Sequence, residues 1–396
     1  MTENQTIPGR KTCTNEHVPY LDGVRGLAIL LVAAGHIFYE YYIFKIGWIG
    51  LNLFFILSGY LITQRLFHYK VQSIQNYFRN FYVRRILRIF PLYYGVLIFF
   101  LIVLPGLAYK YQLHYSELNQ IQSCYWLYTS NWHIISNGLP GQPLFFHFWS
   151  LAVEEQFYLI WPILFIVFYR TRSRYFLIAI LMIVSILTRI STAHPLYAYL
   201  NTLTTAEPLL LGSLLSIMQK EGILIKMNKW LKFGAILSSV FLVFTFIQNS
   251  DLHITNGLLM KYGYSAIDII MGFFVCSLLV GHFWGLKLRY FFSLNWIKWL
   301  GKYSYAIYVF HWIILQTVIL KLDSVLISLD LSPSVAYLTA RVTGIVLILL
   351  LSYCSYHFYE KYFIGLKKYF SEDKDWNWAL FRIPLFQKNK GKLAGN

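Results

Sequence analysis

FYVRRILRIFPLYYGVLIFFLIVLPG, residues 81–106, changes character at a single point. Arg84, Arg85 and Arg88 crowd its start, and residues 89–106 then carry no charge at all. At about 1.5 Å per residue, such a run covers most of the ~30 Å hydrocarbon core of a bilayer. Charged side chains are costly there, so the arginines mark one edge of a membrane-spanning helix. The same alternation recurs along the chain. Apolar runs of spanning length lie at roughly 22–42, 47–66, 89–108, 146–169, 176–192, 203–218, 233–248, 263–283, 303–320 and 337–358. The expected fold is therefore all-α, a polytopic membrane bundle of about ten transmembrane helices.

Composition and charge agree with that reading. Of 396 residues, 57% are hydrophobic and 13% charged, whereas soluble domains carry about a quarter charged residues. The expected division is a tail over 1–21, a transmembrane domain over 22–358 and a basic tail over 359–396. A net charge of +17 invites a nucleic-acid reading, but its distribution removes the need for one. Of the 34 lysines and arginines, 26 fall in the alternate segments 1–21, 67–88, 170–175, 219–232, 285–302 and 359–396. Basic residues collect in cytoplasmic loops, so both termini are expected in the cytosol and no nucleic acid is expected as a partner. The basic, aromatic tail is suited to the inner-leaflet surface or to disorder.

The N-terminus lacks the charged-then-apolar-then-small order of a cleaved signal peptide. The Asn4 sequon, on a cytosolic tail, is read as chance. Cys13, Cys124, Cys276 and Cys354 are far apart with no CxxC pair, which favours neither a zinc site nor a disulfide framework. They are expected to be inert, and no metal is expected. Residues 109–145, including CYWLYTSNWHIIS, are too polar for a span and read as a re-entrant or surface helix on the outer side.

Polar groups inside the spans are the candidates for chemistry. In YLDGVRGLAILLVAAGHIFYEYY, residues 20–42, Arg25 and His36 are eleven positions apart, about three turns, and share a face. Arg25 lies near the cytosolic edge, as a snorkelling anchor or a ligand. His36 lies about 21 Å across, as a packing histidine or a proton carrier. Glu154 comes at a similar depth, where a carboxylate either orients an imidazole or pairs with an arginine. Tyr158 follows one turn deeper, and His311 also falls near mid-membrane. Asn52 and Ser58 join helices or touch substrate. Asp268, Glu207, Arg189 and Arg341 lie near outer helix ends, as substrate contacts or as pairs. Arg85 and Arg88 share a face. With Arg84 they serve topology and anionic lipid, or they clamp a phosphate, which guanidinium binds bidentately. There is no P-loop, no GxGxxG between strand and helix and no HExxH.

Six blocks occur in order: YLDGVRGLAILLVAAGH, GLNLFFILSGYLIT, FYVRRILRIFPLYY, FWSLAVEEQFYLIWP, LGKYSYAIYVFHW and SYCSYHFYEKYF. Together, from about 20 to 363, they resemble the membrane acyltransferase-3 family of bacterial O-acetyltransferases. The resemblance implies a ten-helix domain that takes acetyl groups from cytosolic acetyl-CoA, a cosubstrate rather than a resident cofactor. It also implies delivery to a hydroxyl of an extracytoplasmic carbohydrate such as lipopolysaccharide O-antigen or exopolysaccharide, in a bacterial inner membrane. The family's Arg-x10-His motif falls on Arg25 and His36. Its RxxR motif, assigned to coenzyme A, falls on Arg85 and Arg88, its acidic position on Glu154 and its SYxxYxxH histidine on His311. Two departures stand out. The GVDLFF block reads GLNLFF here, with Asn52, and Thr205 replaces an arginine that many members carry, although Glu207 is kept. The chain is also expected to lack the extra helix and esterase-like domain of longer members.

The expected mechanism places Arg84, Arg85 and Arg88 on the CoA phosphates, with Arg25 at the entrance. His36 either deprotonates the acceptor hydroxyl or carries the acyl group as an acyl-imidazole. Glu154 holds His36 in its working tautomer, and His311, Tyr158, Ser58 or Asn52 contact substrate or oxyanion. The rival readings are a transporter or flippase for a lipid- or phosphate-linked sugar and a non-catalytic partner in glycan assembly. The first usually shows repeated halves, and none is evident here. Acetyl-CoA dependence separates both from a transferase.

Overall fold

A bilayer offers no water to a backbone N–H or C=O, so apolar runs bury these groups within helices. A computed structural model describes residues 18–69, 73–110, 122–138, 144–169, 173–192, 194–249, 257–281 and 283–370, and among them there is no strand. The ten main helices are α1 (Pro19–Ile37), α2 (Ile49–Tyr69), α3 (Ile74–Ile98), α4 (Phe148–Phe168), α5 (Arg174–Ser191), α6 (Ala206–Lys220), α7 (Leu224–Asn249), α8 (Tyr264–Val280), α9 (Asn295–Ile314) and α10 (Pro333–Ser355). Among the described residues, nine helical runs are long and apolar enough to cross a membrane. The sixth expected span is α6, which at 15 residues falls short of that length. Large apolar side chains such as Phe176 and Leu187 on α5 and Val240 and Ile247 on α7 face outward. A lipid environment accounts for them. The chain is an integral, multi-pass membrane protein.

Helix starts differ from the expected edges where local chemistry extends them. α3 begins at Ile74, not 89, because the Ser73 hydroxyl accepts the Asn76 N–H as an N-cap. Arg84, Arg85 and Arg88 are therefore inside a helix rather than in the loop before one. A single π-turn over Phe99–Val103 carries α3 on to Lys110. Likewise α9 starts at Asn295 and continues to Ser328. The described parts of 109–145 form two short helices, Gln122–Trp126 and Ser130–Asn137. Tyr125, Asn131 and Ile134 are buried against the bundle, with the Tyr93 hydroxyl donating to the Tyr125 carbonyl at 2.8 Å. Burial there pushes the Cys124 thiol up to about 11, so it stays protonated at neutral pH. Residues 1–17, with Cys13 and the Asn4 sequon, and the tail over 371–396 lie outside the described residues.

The bundle centre is set by α1 against α9 and α2 against α6. At Gly301 of α9, an added Cβ would lie 1.8 Å from the Asp22 carbonyl oxygen, so α1 and α9 touch backbone to backbone. This contact brings the Arg25–His36 face of α1 to the His311 face of α9. The ionisable groups near helix ends form pairs. Arg189 meets Glu207 at 2.8 Å, fully buried, and Arg341 meets both Glu40 and Asp323 at 2.7 Å. Asn52 donates to Asp268 at 2.6 Å.

Candidate active site

A cavity of about 200 Å³ opens between α1, α2, α3, α4 and α9. Arg25, Arg65, Arg84, Arg85, Arg88 and Lys367 line it, and Glu154 is the one carboxylate among the lining residues. Arg25 and Arg88 repel each other across it. Five arginines around one hollow favour an anion there, and guanidinium forks match phosphate oxygens. Arg84 donates to the Lys367 and Phe370 carbonyls, each at 3.2 Å, which ties α3 to the chain beyond α10.

Deeper in the same cavity the Glu154 carboxylate accepts the Ser58 hydroxyl, and accepts the Tyr158 hydroxyl at 2.7 Å. The Arg85 guanidinium lies over the Tyr158 ring, 4.3 Å from its centroid. Glu154, Ser58, Tyr158 and Arg85 thus form one packed group from three helices. Tyr308 and Ser150 also line it and are bonded to each other, and the Tyr308 hydroxyl donates to the His147 carbonyl at 2.8 Å.

His36 sits one residue from the C-terminal end of α1, half-buried, about 16 Å along the helix from Arg25. Its Nδ1 lies 3.0 Å from Nε2 of His311, the two rings stacked with centroids 5.2 Å apart. The Trp312 ring stands edge-on to His36 at 4.9 Å. This differs from the expected pairing of His36 with Glu154: the carboxylate is engaged by Ser58 and Tyr158, and a second imidazole takes its place. The protons in this pair can be assigned. His311 Nδ1 lies 2.6 Å from the Tyr308 carbonyl oxygen, which only accepts, so Nδ1 carries the hydrogen. The Nε2 of a neutral His311 is then an acceptor, and His36 donates to it from Nδ1. The lone pair left on His36 is that of Nε2. A buried backbone carbonyl thereby fixes the tautomer of a histidine two hydrogen bonds away.

An acyltransferase domain model matches residues 18–357. The chain belongs to the acyltransferase-3 family. Among its relatives, it is 30% identical over 375 residues to the "Putative peptidoglycan O-acetyltransferase YrhL" of Bacillus subtilis, covering 89% of this chain and 55% of that protein. It is 30% identical over 339 residues to the peptidoglycan O-acetyltransferase OatA of Listeria monocytogenes, covering 78% of this chain and 51% of that protein. The chain thus spans about half the length of these curated relatives. No solved structure matches it.

Within this acyltransferase-3 domain, the candidate residues separate into three places. Arg25, Arg84, Arg85, Arg88, Ser58, Glu154 and Tyr158 share the basic cavity. His36 and His311 form a pair that does not line it, although the Tyr308 ring, which does, lies 5.3 Å from that of His311. Asn52 lines a separate, smaller cavity with Asp268. Sequence reasoning passed over Arg65, Lys367, Tyr308, Ser150 and His147. Arg65 and Lys367 read as ordinary edge charges, and nothing in the sequence marks them. His147 carried a signal, a histidine one residue before an apolar helix. Its Nε2 lies 3.1 Å from the Val309 carbonyl and its ring 5.3 Å from that of His311.

Proposed function

We propose that this domain transfers an acetyl group from acetyl-CoA to a hydroxyl of an extracytoplasmic glycan, in a bacterial cytoplasmic membrane. The observation that carries the reading is the cavity lined by five arginines, one lysine and one carboxylate, whose Tyr308 wall also fixes the His311–His36 pair. The phosphates of CoA suit Arg84, Arg85, Arg88 and Lys367 at the mouth. The thioester then points along α1 towards His36.

The acceptor hydroxyl gives its proton to His36 Nε2 as its oxygen attacks the thioester carbonyl. The C–S bond breaks, a C–O ester bond forms, and the proton passes to the departing thiolate, which leaves as CoA-SH. If the acetyl group rests first on the imidazole, the same Nε2 is the nucleophile. His311 is a positioning residue in either route. The names of these two relatives specify peptidoglycan, so glycan strands from peptidoglycan are the first acceptor to test. The expectation of lipopolysaccharide finds no support in those names.

The test uses the purified chain in nanodiscs with labelled acetyl-CoA and peptidoglycan glycan strands. Wild type is expected to label glycan, His36→Ala to fail while still binding acetyl-CoA, and Arg88→Ala to raise the acetyl-CoA KM about tenfold or more, the worth of one charge-assisted hydrogen bond. If acetyl-CoA neither binds nor turns over, the proposal falls and a transporter becomes the better reading.

A further inference from the structure

A second cavity, of about 20 Å³, shares Leu51 and Phe55 with the basic one and lies on the far side of them. Its polar lining carries two groups with no bonding partner. Asp268 is 1% exposed; its Oδ1 accepts from Asn52, and its Oδ2 has no partner. Trp48 Nε1 is buried and has none either. One is an acceptor and the other a donor, and an unsatisfied buried group costs about 1–3 kcal/mol. Among the other polar lining groups, Arg189 is engaged by Glu207, Ser265 and the Thr204 carbonyl, and the Thr205 hydroxyl donates to the Asn201 carbonyl. A space of this size holds one water-sized group. A hydroxyl is such a group, and it both accepts and donates.

The walls are aromatic. Trp48 lies 5.3 Å from Tyr264 and 6.4 Å from Tyr199, and Trp149 lies 4.8 Å from Tyr199. These rings make an apolar collar beside the two polar atoms, which suits a single hydroxyl carried on a carbon skeleton. The position suits it too. Gly35 and Gly47 are in backbone contact, since a Cβ at Gly47 would lie 2.6 Å from the Gly35 Cα. The next residue in each segment is His36 and Trp48 respectively. The cavity thus adjoins the turn that carries His36, but His36 does not line it.

We infer that this cavity reads one hydroxyl of the acceptor sugar beside the one acetylated, with the Trp48 indole N–H donating to it and Asp268 Oδ2 accepting from it. This rests on the acyltransferase reading. It makes Trp48 and Asp268 specificity-determining residues on the acceptor side, with no part in binding the donor.

The test compares wild type, Asp268→Asn and Trp48→Phe in nanodiscs. Asp268→Asn keeps the shape and the Asn52 contact while turning an acceptor into a donor. Acetyl-CoA binding is measured by equilibrium dialysis, and CoA release is followed against increasing peptidoglycan glycan strands. The expected result is unchanged acetyl-CoA affinity in both variants, with glycan half-saturation raised about ten- to a hundredfold. Wild-type half-saturation in both variants overturns the inference, as does a parallel loss of acetyl-CoA binding, which marks a structural cavity. If wild type binds acetyl-CoA but no glycan strand stimulates release, the subsite is refuted and the donor reading stands. If wild type does not bind acetyl-CoA, the acyltransferase reading fails and the subsite falls with it.

Discussion

Replacing His311 with leucine tests the tautomer argument. The side chain is fully buried, and its Nε2, 3.0 Å from His36 Nδ1, is the acceptor that keeps the His36 proton on that atom. Leucine removes the acceptor while filling much of the volume. His36 then holds its ring less firmly and is free to carry the proton on Nε2, where it blocks chemistry. Loss of one hydrogen bond is worth about 0.5–1.5 kcal/mol, or up to roughly tenfold in rate. Loss of a positioned base is worth about 10²–10⁴. With the base still present but poorly held, kcat is expected to fall about a hundredfold. The acetyl-CoA KM should stay within about threefold, because His311 does not line the basic cavity. His311→Gln places an amide oxygen near the lost Nε2 and should recover part of the rate. Adding His311→Leu to His36→Ala should cost nothing further, since the two act as a unit. The assay is initial-rate transfer of label to glycan, with thermal melting in detergent to confirm folding. A kcat within threefold of wild type, a raised acetyl-CoA KM at unchanged kcat, or additive double-mutant losses would each refute the reasoning.

Other outcomes follow from the same geometry. Lys367→Ala should raise the acetyl-CoA KM several-fold at unchanged kcat, and the effect should be larger at pH 5.5 than at pH 8, because burial and the nearby arginines push the Lys367 ammonium down to about 6. Glu154→Gln leaves Ser58 and Tyr158 without a charged acceptor; transfer should fall while the His36 pair persists, and a kcat equal to wild type would show that this group adds nothing to transfer. Arg189→Ala strands the Glu207 carboxylate in the bundle and should cost about 3–5 kcal/mol of stability. By contrast, Arg174→Ala breaks a pair in which both side chains are 24% exposed and should cost under about 1 kcal/mol, read from the same melting experiment.

Much of this protein is legible from its sequence because a membrane imposes one-dimensional rules. A run such as 89–106 has to be a helix in hydrocarbon, and an arginine beside it has to mark an edge or a ligand. Periodicity within one helix also put Arg25 and His36 on a common face, and Arg85 beside Arg88. What one helix cannot specify is its neighbour. The Ser73 cap moved the start of α3, and α6 is shorter than its apolar run suggested. Depth counting set Glu154 level with His36, but depth says nothing of lateral position. Only the packing of α1 against α9, through Gly301, gave His36 a histidine partner and sent Glu154 to Ser58 and Tyr158. The His311 proton is held by the Tyr308 carbonyl, a backbone group identical in every residue type and so invisible in the sequence. Arg65, Lys367 and Trp48 became candidates for the same reason: a cavity is made by several helices at once, and hydrogen-bond partners far apart in the chain meet only when the bundle closes.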